Sequence, residues 1–261
     1  MTWLPGSLAD FGPAALAAVV IAAYLVAGEP VVGHVLHRRF EGRLRSDPSA
    51  RRSFYRRLLV LEWGLALLVL AVWLGAPGVD AGQVGLRWPQ QWPGPVTALV
   101  VVLVLVFVFV STRALRSGAL LDMAEPVRRP GEGRHSEPAG QSTLALLPRT
   151  SGERRMFTVV GITAGVCEEW LYRGFFLAVV SALTGGAPAW VLVLIAAVAF
   201  GLAHAYQGRS GILTTGLLGG VMAALYLQTG SLLLPVLLHA AIDLRFLLVP
   251  ARALPAVRGA R

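Results

Sequence analysis

Long apolar runs, separated by short polar or arginine-rich connections, make up most of the chain. A transmembrane helix needs about 20 predominantly apolar residues, and seven runs have roughly that length. Because lipid offers no hydrogen-bond partners to an exposed backbone, runs of this kind fold as helices. The pattern predicts an all-α fold, a polytopic transmembrane helical bundle of about seven spans. The predicted spans cover residues 13–36, 58–75, 95–110, 156–183, 187–206, 212–228 and 231–250.

The composition agrees with this interpretation. Hydrophobic residues make up 56% of the 261 residues, whereas soluble domains carry about 45–50% apolar residues. The mean hydropathy of +0.66 is correspondingly high. The net charge of +9 comes from 23 basic residues, all of them arginine. Since these arginines are concentrated in a few connections between apolar runs, they indicate membrane orientation, and we expect no nucleic-acid partner.

The distribution of arginine predicts which connections face the cytoplasm. Segments 37–57 and 111–155 each contain eight arginines, whereas the connection 75–94 contains only Arg87. Cytoplasmic loops carry an excess of basic residues. We therefore expect a multi-pass protein of the plasma (bacterial inner) membrane, surrounded by membrane lipid, with its N-terminus outside and its C-terminus in the cytoplasm.

Polar motifs are concentrated in the second half of the chain, which predicts a division into a front part and a motif-bearing part. We expect three N-terminal transmembrane helices, an arginine-rich cytoplasmic linker, a membrane domain of four helices and a basic cytoplasmic tail. These parts cover residues 1–116, 117–153, 154–250 and 251–261 respectively.

Three ionisable side chains interrupt the fourth apolar run, namely Glu168, Glu169 and Arg173. Charged groups at membrane depth are costly, so they need internal partners or a function. Arg173 lies four residues after Glu169 and therefore on the same helix face, whereas Glu168 is rotated by roughly 100°. We expect Glu169 and Arg173 to form a buried structural pair and Glu168 to remain available for chemistry.

Two later spans supply further polar groups. His204 lies in the fifth span, and His239 and Asp243 lie four residues apart in the seventh. Three helices could therefore present Glu168, His204, His239 and Asp243 to one interior cavity. A carboxylate and an imidazole in such a site are suited to activating a water molecule.

Other features predict packing rather than chemistry. Glu29, beside the helix-kinking Pro30, should face the bundle or lie near the end of its helix, and Glu62 should lie at the membrane interface. Cys167 is expected to be a small buried residue.

The glycines of residues 216–220 should permit close helix packing within the bundle, with dimerisation left open. The third span should face lipid, and Thr150 or Ser151 should cap the fourth span, with Glu153 in its first turn.

The order and spacing of three motifs resemble a known family. Glu168-Glu169 with Arg173, then Phe200 with His204, then His239 with Asp243, all at membrane depth, are similar to the motifs of the type II CAAX prenyl endopeptidases and bacteriocin-processing proteins, called CPBP or Abi. The resemblance covers roughly residues 154–249.

This resemblance implies an intramembrane endopeptidase, with roles for these residues. Glu168 would be the general base, assisted by His204. His239 and Asp243 would polarise the scissile carbonyl or stabilise the oxyanion, and Glu169, Arg173 and Phe200 would give structural support. Many members have asparagine where this chain has Asp243. An ionised carboxylate cannot donate a hydrogen bond, so Asp243 would instead orient His239 or bind a metal.

The cofactor stays open at this point. The family is often described as metalloproteases, and the candidate zinc ligands would be Glu168, His204, His239 and Asp243. No local zinc motif is present, however, and activation of water by Glu168 and His204 requires no metal.

The substrate implied is a hydrophobic or lipidated peptide or protein, while the oligomeric state stays open. One alternative is a non-catalytic bacteriocin-immunity or scaffold protein with the same fold. Another is a proton-coupled transporter, because glutamate and histidine in a bundle also form proton relays, although no inverted repeat is visible. Asp243 could also simply pair with Arg209 or Arg245.

Overall fold

Helices form all of the regular structure in the part of the chain that the computed structural model describes, which is residues 3–44, 46–117, 146–251 and 254. The α-helices are α1 (Ala15–Ala23), α2 (Glu29–Leu44), α3 (Ala50–Leu74), α4 (Pro95–Ser117), α5 (Ser151–Glu169), α6 (Leu177–Leu183), α7 (Ala189–Ala203), α8 (Gly208–Thr229) and α9 (Leu233–Leu244). Short 3₁₀ helices cover Leu8–Ala14, Ala205–Gln207 and Arg245–Leu248.

The lengths and composition of these helices are those of a membrane protein. Within the described ranges, four helical stretches are long and apolar enough to cross a bilayer: Leu8–Leu44, Ala50–Leu74, Pro95–Ala114 and Ala205–Thr229. The remaining predicted spans correspond to the continuous helical stretch from α5 to α6, which contains charged residues, and to the shorter helices α7 and α9. The predicted all-α membrane bundle is confirmed.

The first arginine-rich connection differs from the prediction. Residues 37–57 were expected to form a loop, but α2 continues to Leu44 and α3 begins at Ala50. Arginine is a good helix former, so the arginines extend both helices instead of ending them. Asp47 forms the turn by accepting hydrogen bonds from the backbone N–H and the hydroxyl of Ser49, at 2.8 and 2.7 Å. These bonds hold the pKa of Asp47 below its usual value.

Two π-helical segments interrupt the bundle's long helices. Tyr24–Gly28 joins α1 to α2, and Trp170–Phe176 joins α5 to α6. Pro30 follows the first segment closely; proline lacks a backbone N–H and crowds the preceding turn, which accounts for the irregular hydrogen bonding there. The second segment begins directly after Glu169. Single π turns inside α-helices are frequent at functional sites.

The start of α5 is defined by its cap. The Thr150 hydroxyl accepts a hydrogen bond from the Glu153 backbone N–H at 3.2 Å, and the Glu153 carboxylate accepts one from the Thr150 backbone N–H at 3.0 Å. This reciprocal capping box satisfies two backbone donors that the first helical turn leaves unpaired. Thr150, of the two predicted candidates, is therefore the cap.

Glycines allow α7 and α8 to pack closely. A Cβ on Gly201 would lie 2.7 Å from the carbonyl oxygen of Ile212, and one on Gly216 would lie 3.1 Å from that of Ala197. A Cβ on Gly220 would lie 3.4 Å from the Cβ of Ala197. The glycine spacing in α8 thus serves packing within the bundle, as predicted.

Helix α4 lies at the surface of the bundle. Its inner face packs through Val101, Val104 and Val108 against a cluster that includes Met222 and Leu225 of α8. Most of its other apolar side chains are exposed. This arrangement is the one expected of a helix that faces lipid.

Candidate active site

A fully buried ion pair lies at the end of α5. Nη1 of Arg173 donates to Oε1 of Glu169 at 2.9 Å, and both side chains are completely inaccessible to solvent. Nη2 of Arg173 donates to the carbonyl oxygen of Gly219 at 3.1 Å, and the guanidinium lies 4.4 Å from the centre of the Phe200 ring. The predicted pairing of Glu169 with Arg173 is confirmed, and it links α5 to α7 and α8.

His239 is held by the same glutamate. Its Nδ1 lies 2.7 Å from Oε1 of Glu169, the oxygen that also accepts from Arg173. Because an ionised carboxylate can only accept, Nδ1 carries the proton in this contact. The sequence predicted the partner of Arg173 but not this second contact. It fixes the ring of His239 so that Nε2 lies on the side of Glu168 and Asp243.

Glu168 and Asp243 both lie near this imidazole nitrogen. Nε2 of His239 is 3.8 Å from Oε2 of Glu168 and 3.9 Å from Oδ2 of Asp243. These separations are longer than hydrogen bonds. Oε2 of Glu168 is buried and has no hydrogen-bond partner. Oε2 of Glu168 is thus not used in a structural hydrogen bond. This agrees with the position of Glu168 on the helix, roughly 100° around the axis from Glu169.

His204 follows the last residue of α7. Its Nδ1 lies 2.9 Å from the carbonyl oxygen of Phe200. A carbonyl accepts hydrogen bonds only, so Nδ1 carries the proton and Nε2 of the neutral ring is an acceptor. Its ring also packs on Phe200, with ring centres 4.6 Å apart. Within the described residues His204 forms no hydrogen bond to Glu168.

One cavity connects these groups. It has a volume of about 700 Å³, and Glu168, His204, His239 and Asp243 all line it. Part of its wall is apolar and aromatic and comes from several helices. This part includes Leu36, Phe54, Leu58, Leu147, Phe157 and Phe246. The cavity therefore places a polar group of side chains beside a surface suited to a hydrophobic ligand.

Two further carboxylates line the cavity. Glu29 and Glu62 each have a buried oxygen, Oε2, with no hydrogen-bond partner. Glu29 faces the bundle, which is one of its two predicted positions. Glu62 was expected to lie at the membrane interface rather than in a site, but its side chain lines the cavity, because α3 packs on α5. The sequence did contain a signal for this position, because Glu62 is an acidic residue within the otherwise apolar run 58–75.

The alternative pairing of Asp243 with an arginine is seen only as a longer-range interaction. Among the described residues, Asp243 forms no ion pair within 4.0 Å with Arg209 or Arg245, although Arg245 interacts with it electrostatically, and its ion-pair contact is with His239. The guanidinium of Arg245 instead lies 4.6 Å from the ring centre of Phe246. Cys167 is fully buried in the main hydrophobic core, as predicted.

The candidate zinc ligands do not form a coordination site. No group of three His, Cys, Asp or Glu side chains in the described ranges is arranged to hold a metal ion. His239 uses Nδ1 for Glu169, and its Nε2 is 3.8 Å or more from the two nearby carboxylates. The residues present therefore do not fit a bound zinc in this arrangement.

Comparison with known families identifies this part of the chain. The family model described as "Type II CAAX prenyl endopeptidase Rce1-like" matches residues 151–245. These residues run from the start of α5 to just beyond α9 and contain all three motifs. They belong to the type II CAAX prenyl endopeptidase family. The Rce1-like match implies a protease, which is a hydrolase that acts on peptides, in a membrane environment. No curated protein and no solved structure matched the chain. Helices α1–α4 lie outside the Rce1-like match.

Proposed function

We propose that this protein is an intramembrane endopeptidase that hydrolyses a peptide bond in or near the bilayer with a water molecule activated by Glu168. The observation that carries the proposal is the unpartnered carboxylate oxygen of Glu168 beside Nε2 of His239, in a cavity of about 700 Å³. A general base must have an oxygen available to accept a proton from water. Oε2 of Glu169 likewise has no hydrogen-bond partner, but Glu169 is fully buried, does not line the cavity, and uses Oε1 to hold Arg173 and His239. Glu168 is therefore the glutamate of this pair that can reach a water in the cavity.

The proposed reaction begins with a water molecule beside Glu168. Glu168 accepts one proton while the water oxygen attacks the scissile carbonyl carbon, which gives a tetrahedral intermediate. When the carbon–nitrogen bond breaks, Glu168 returns the proton to the leaving nitrogen, and the products are a carboxylic acid and an amine. The acceptor Nε2 of His204 assists by orienting the water.

In this mechanism His239 stabilises the developing negative charge. Nδ1–H of His239 donates a hydrogen bond to Glu169. When the ring is doubly protonated, Nε2–H is then available to donate to the oxyanion. Asp243 cannot donate while ionised, so its proposed role is to orient and stabilise that imidazolium from 3.9 Å. Arg173 and Phe200 support the array by holding Glu169 and the α7 backbone.

The apolar part of the cavity supports a hydrophobic or lipidated peptide as substrate. We further propose a location in the bacterial plasma membrane, with the N-terminus outside, because the arginine-rich segments then lie in the cytoplasm. Residues 154–250 would be the catalytic domain, residues 1–116 an additional three-helix unit and residues 117–153 the linker.

The test is cleavage of a quenched fluorescent library of hydrophobic and farnesylated peptides by the detergent-purified protein. Wild type should cleave library members, and the Glu168→Gln variant should lose peptidase activity while it retains the wild-type fold. Glu41→Gln is the matched control, because Glu41 does not line the cavity. Repeating each assay with a zinc chelator determines whether hydrolysis depends on metal.

Two outcomes would contradict this proposal. Undiminished cleavage by Glu168→Gln would exclude Glu168 as the base. Absence of cleavage by wild type across the whole library would instead favour the non-catalytic immunity or scaffold function.

A further inference from the structure

Two carboxylates from outside the Rce1-like domain reach the same cavity as the proposed catalytic groups. Glu29 comes from α2 and Glu62 from α3, and each has a buried oxygen with no hydrogen-bond partner. Glu62 interacts electrostatically with three acidic groups, Glu168, Asp243 and Glu29, and with His239. Glu29 has a side-chain contact with Tyr172. The mechanism proposed above uses neither Glu29 nor Glu62.

The position of Glu62 is fixed by two tryptophan hydrogen bonds. Trp63 donates from Nε1 to the Thr163 hydroxyl, and Trp170 donates from Nε1 to the carbonyl oxygen of Ala66, both at 3.2 Å. Glu62 precedes the first of these contacts on α3, and its side chain enters the cavity beside α5. The two bonds hold α3 in register with the helix that carries Glu168.

Glu29 is positioned by a similar contact. The Tyr172 hydroxyl donates to the carbonyl oxygen of Leu25 at 3.2 Å, which joins the π-helical segments Tyr24–Gly28 and Trp170–Phe176. Glu29 is four residues after Leu25 and therefore lies about one turn further along the same face. The contact of Tyr172 with Leu25 thus helps to determine where the side chain of Glu29 lies in the cavity wall.

The chemistry of these two groups indicates the kind of ligand they bind. A buried carboxylate oxygen without a hydrogen-bond partner, such as Oε2 of Glu29 or of Glu62, is unfavourable, and a cation that donates a hydrogen bond relieves that cost. The cations that line the cavity in the described part of the chain have other neighbours: His239 contacts Glu169, and Arg245 lies against Phe246 and interacts electrostatically with Asp243. No metal-holding group of three side chains exists in the described part of the chain. A cation carried by the substrate fits the site better.

We propose that Glu29 and Glu62 bind a basic side chain, lysine or arginine, of a peptide substrate close to the bond that is cleaved. This inference rests on the proposed function and defines its substrate class. The substrate has an apolar segment, which contacts the aromatic wall of the cavity, and one positive charge, which lies between the two glutamates. The three N-terminal helices thereby contribute specificity to the Rce1-like domain.

The test uses pairs of peptides that differ only by lysine or norleucine, placed in turn at each position around the scissile bond. Norleucine has the same aliphatic chain without the ammonium group. Binding is measured by fluorescence anisotropy on the Glu168→Gln variant, and kcat/KM is measured on wild type. For at least one position the lysine peptide should bind about ten- to a hundredfold more tightly, as expected for hydrogen bonds to a charged group.

Variants then assign the preference to the two glutamates. In the Glu168→Gln background, Glu29→Gln and Glu62→Gln should each reduce the lysine preference, and the double change should remove it. Glu41→Gln makes the same substitution on α2 outside the cavity and should retain the preference. Affinity for the norleucine peptide reports whether each variant keeps its folded binding site.

The outcomes separate this inference from the proposed function. Equal affinities for the lysine and norleucine peptides at every position would overturn the inference, even if wild type cleaves both. A lysine preference that survives the double change would also overturn it. A preference that depends on both glutamates, with no cleavage by wild type, would support the binding site and contradict only the peptidase function.

Discussion

Nδ1 of His239 lies 2.7 Å from Oε1 of Glu169, and the same oxygen accepts from Arg173 at 2.9 Å. One carboxylate oxygen therefore joins the buried arginine of the π-helical segment to the histidine of α9. Through this contact the position of His239 relative to Glu168 depends on an ion pair that is fully buried. The structural pair and the proposed catalytic groups form one connected unit.

The first prediction concerns the stability of this unit. Arg173→Met should lower the free energy of unfolding by about 3–5 kcal/mol, because the buried carboxylate of Glu169 then loses the arginine that forms its ion pair. Glu169→Gln should be similarly destabilising, whereas the double variant should cost less than the sum of the two. Thermal or denaturant unfolding in detergent would measure this double-mutant cycle. Strict additivity would contradict the coupling that the 2.9 Å contact implies.

A second prediction separates the two nitrogens of His204. His204→Asn keeps a side-chain N–H near the position of Nδ1, which can still donate to the Phe200 carbonyl, but it removes Nε2. If Nε2 orients the water, kcat should fall by about 10²-fold or more while KM changes little. Steady-state kinetics on the best library peptide would test this. An unchanged kcat would remove His204 from the mechanism.

Close packing of α5 against α9 gives a third prediction. A Cβ on Gly165 would lie 3.0 Å from the backbone nitrogen of Ala240, next to His239. Gly165→Ala should therefore push α9 away, reduce peptidase activity and destabilise the protein by about 1–3 kcal/mol.

Gly152 supplies the matched control for this substitution. It lies in the first turn of α5, and a Cβ there would meet nothing within 4 Å. Gly152→Ala should be neutral or stabilising by up to about 1 kcal/mol. Equal effects of the two substitutions on stability and activity would argue against the close contact of α5 with α9.

Orientation in the membrane can be tested with single cysteines. The native Cys167 is buried, and a Cys167→Ser background removes it altogether. With the N-terminus outside, Ala81→Cys should react with a membrane-impermeant maleimide on intact cells. Ser46→Cys, which lies between α2 and α3, should react only after the cells are permeabilised. Both positions are exposed in the folded protein, and the reverse labelling pattern would show that the orientation is wrong.

The sequence by itself determined the helical class, the approximate span positions and the pairing of Glu169 with Arg173. These follow from local rules: an apolar run in lipid must be helical, and residues four apart share a helix face. It also limited the cap of α5 to Thr150 or Ser151, with Glu153 in the first turn, and the structure then identified Thr150 as the cap.

The tertiary structure decided how the helices are rotated and which groups meet. His239 and Glu169 are 70 residues apart, and their contact depends on the packing of α9 against α5. The placement of Glu62 in the cavity depends likewise on α3 packing against α5. A helix that is apolar on all faces shows no clear periodicity, because its lipid-facing side is as hydrophobic as its buried side. The sequence pattern therefore could not indicate which side of α3 faces the cavity.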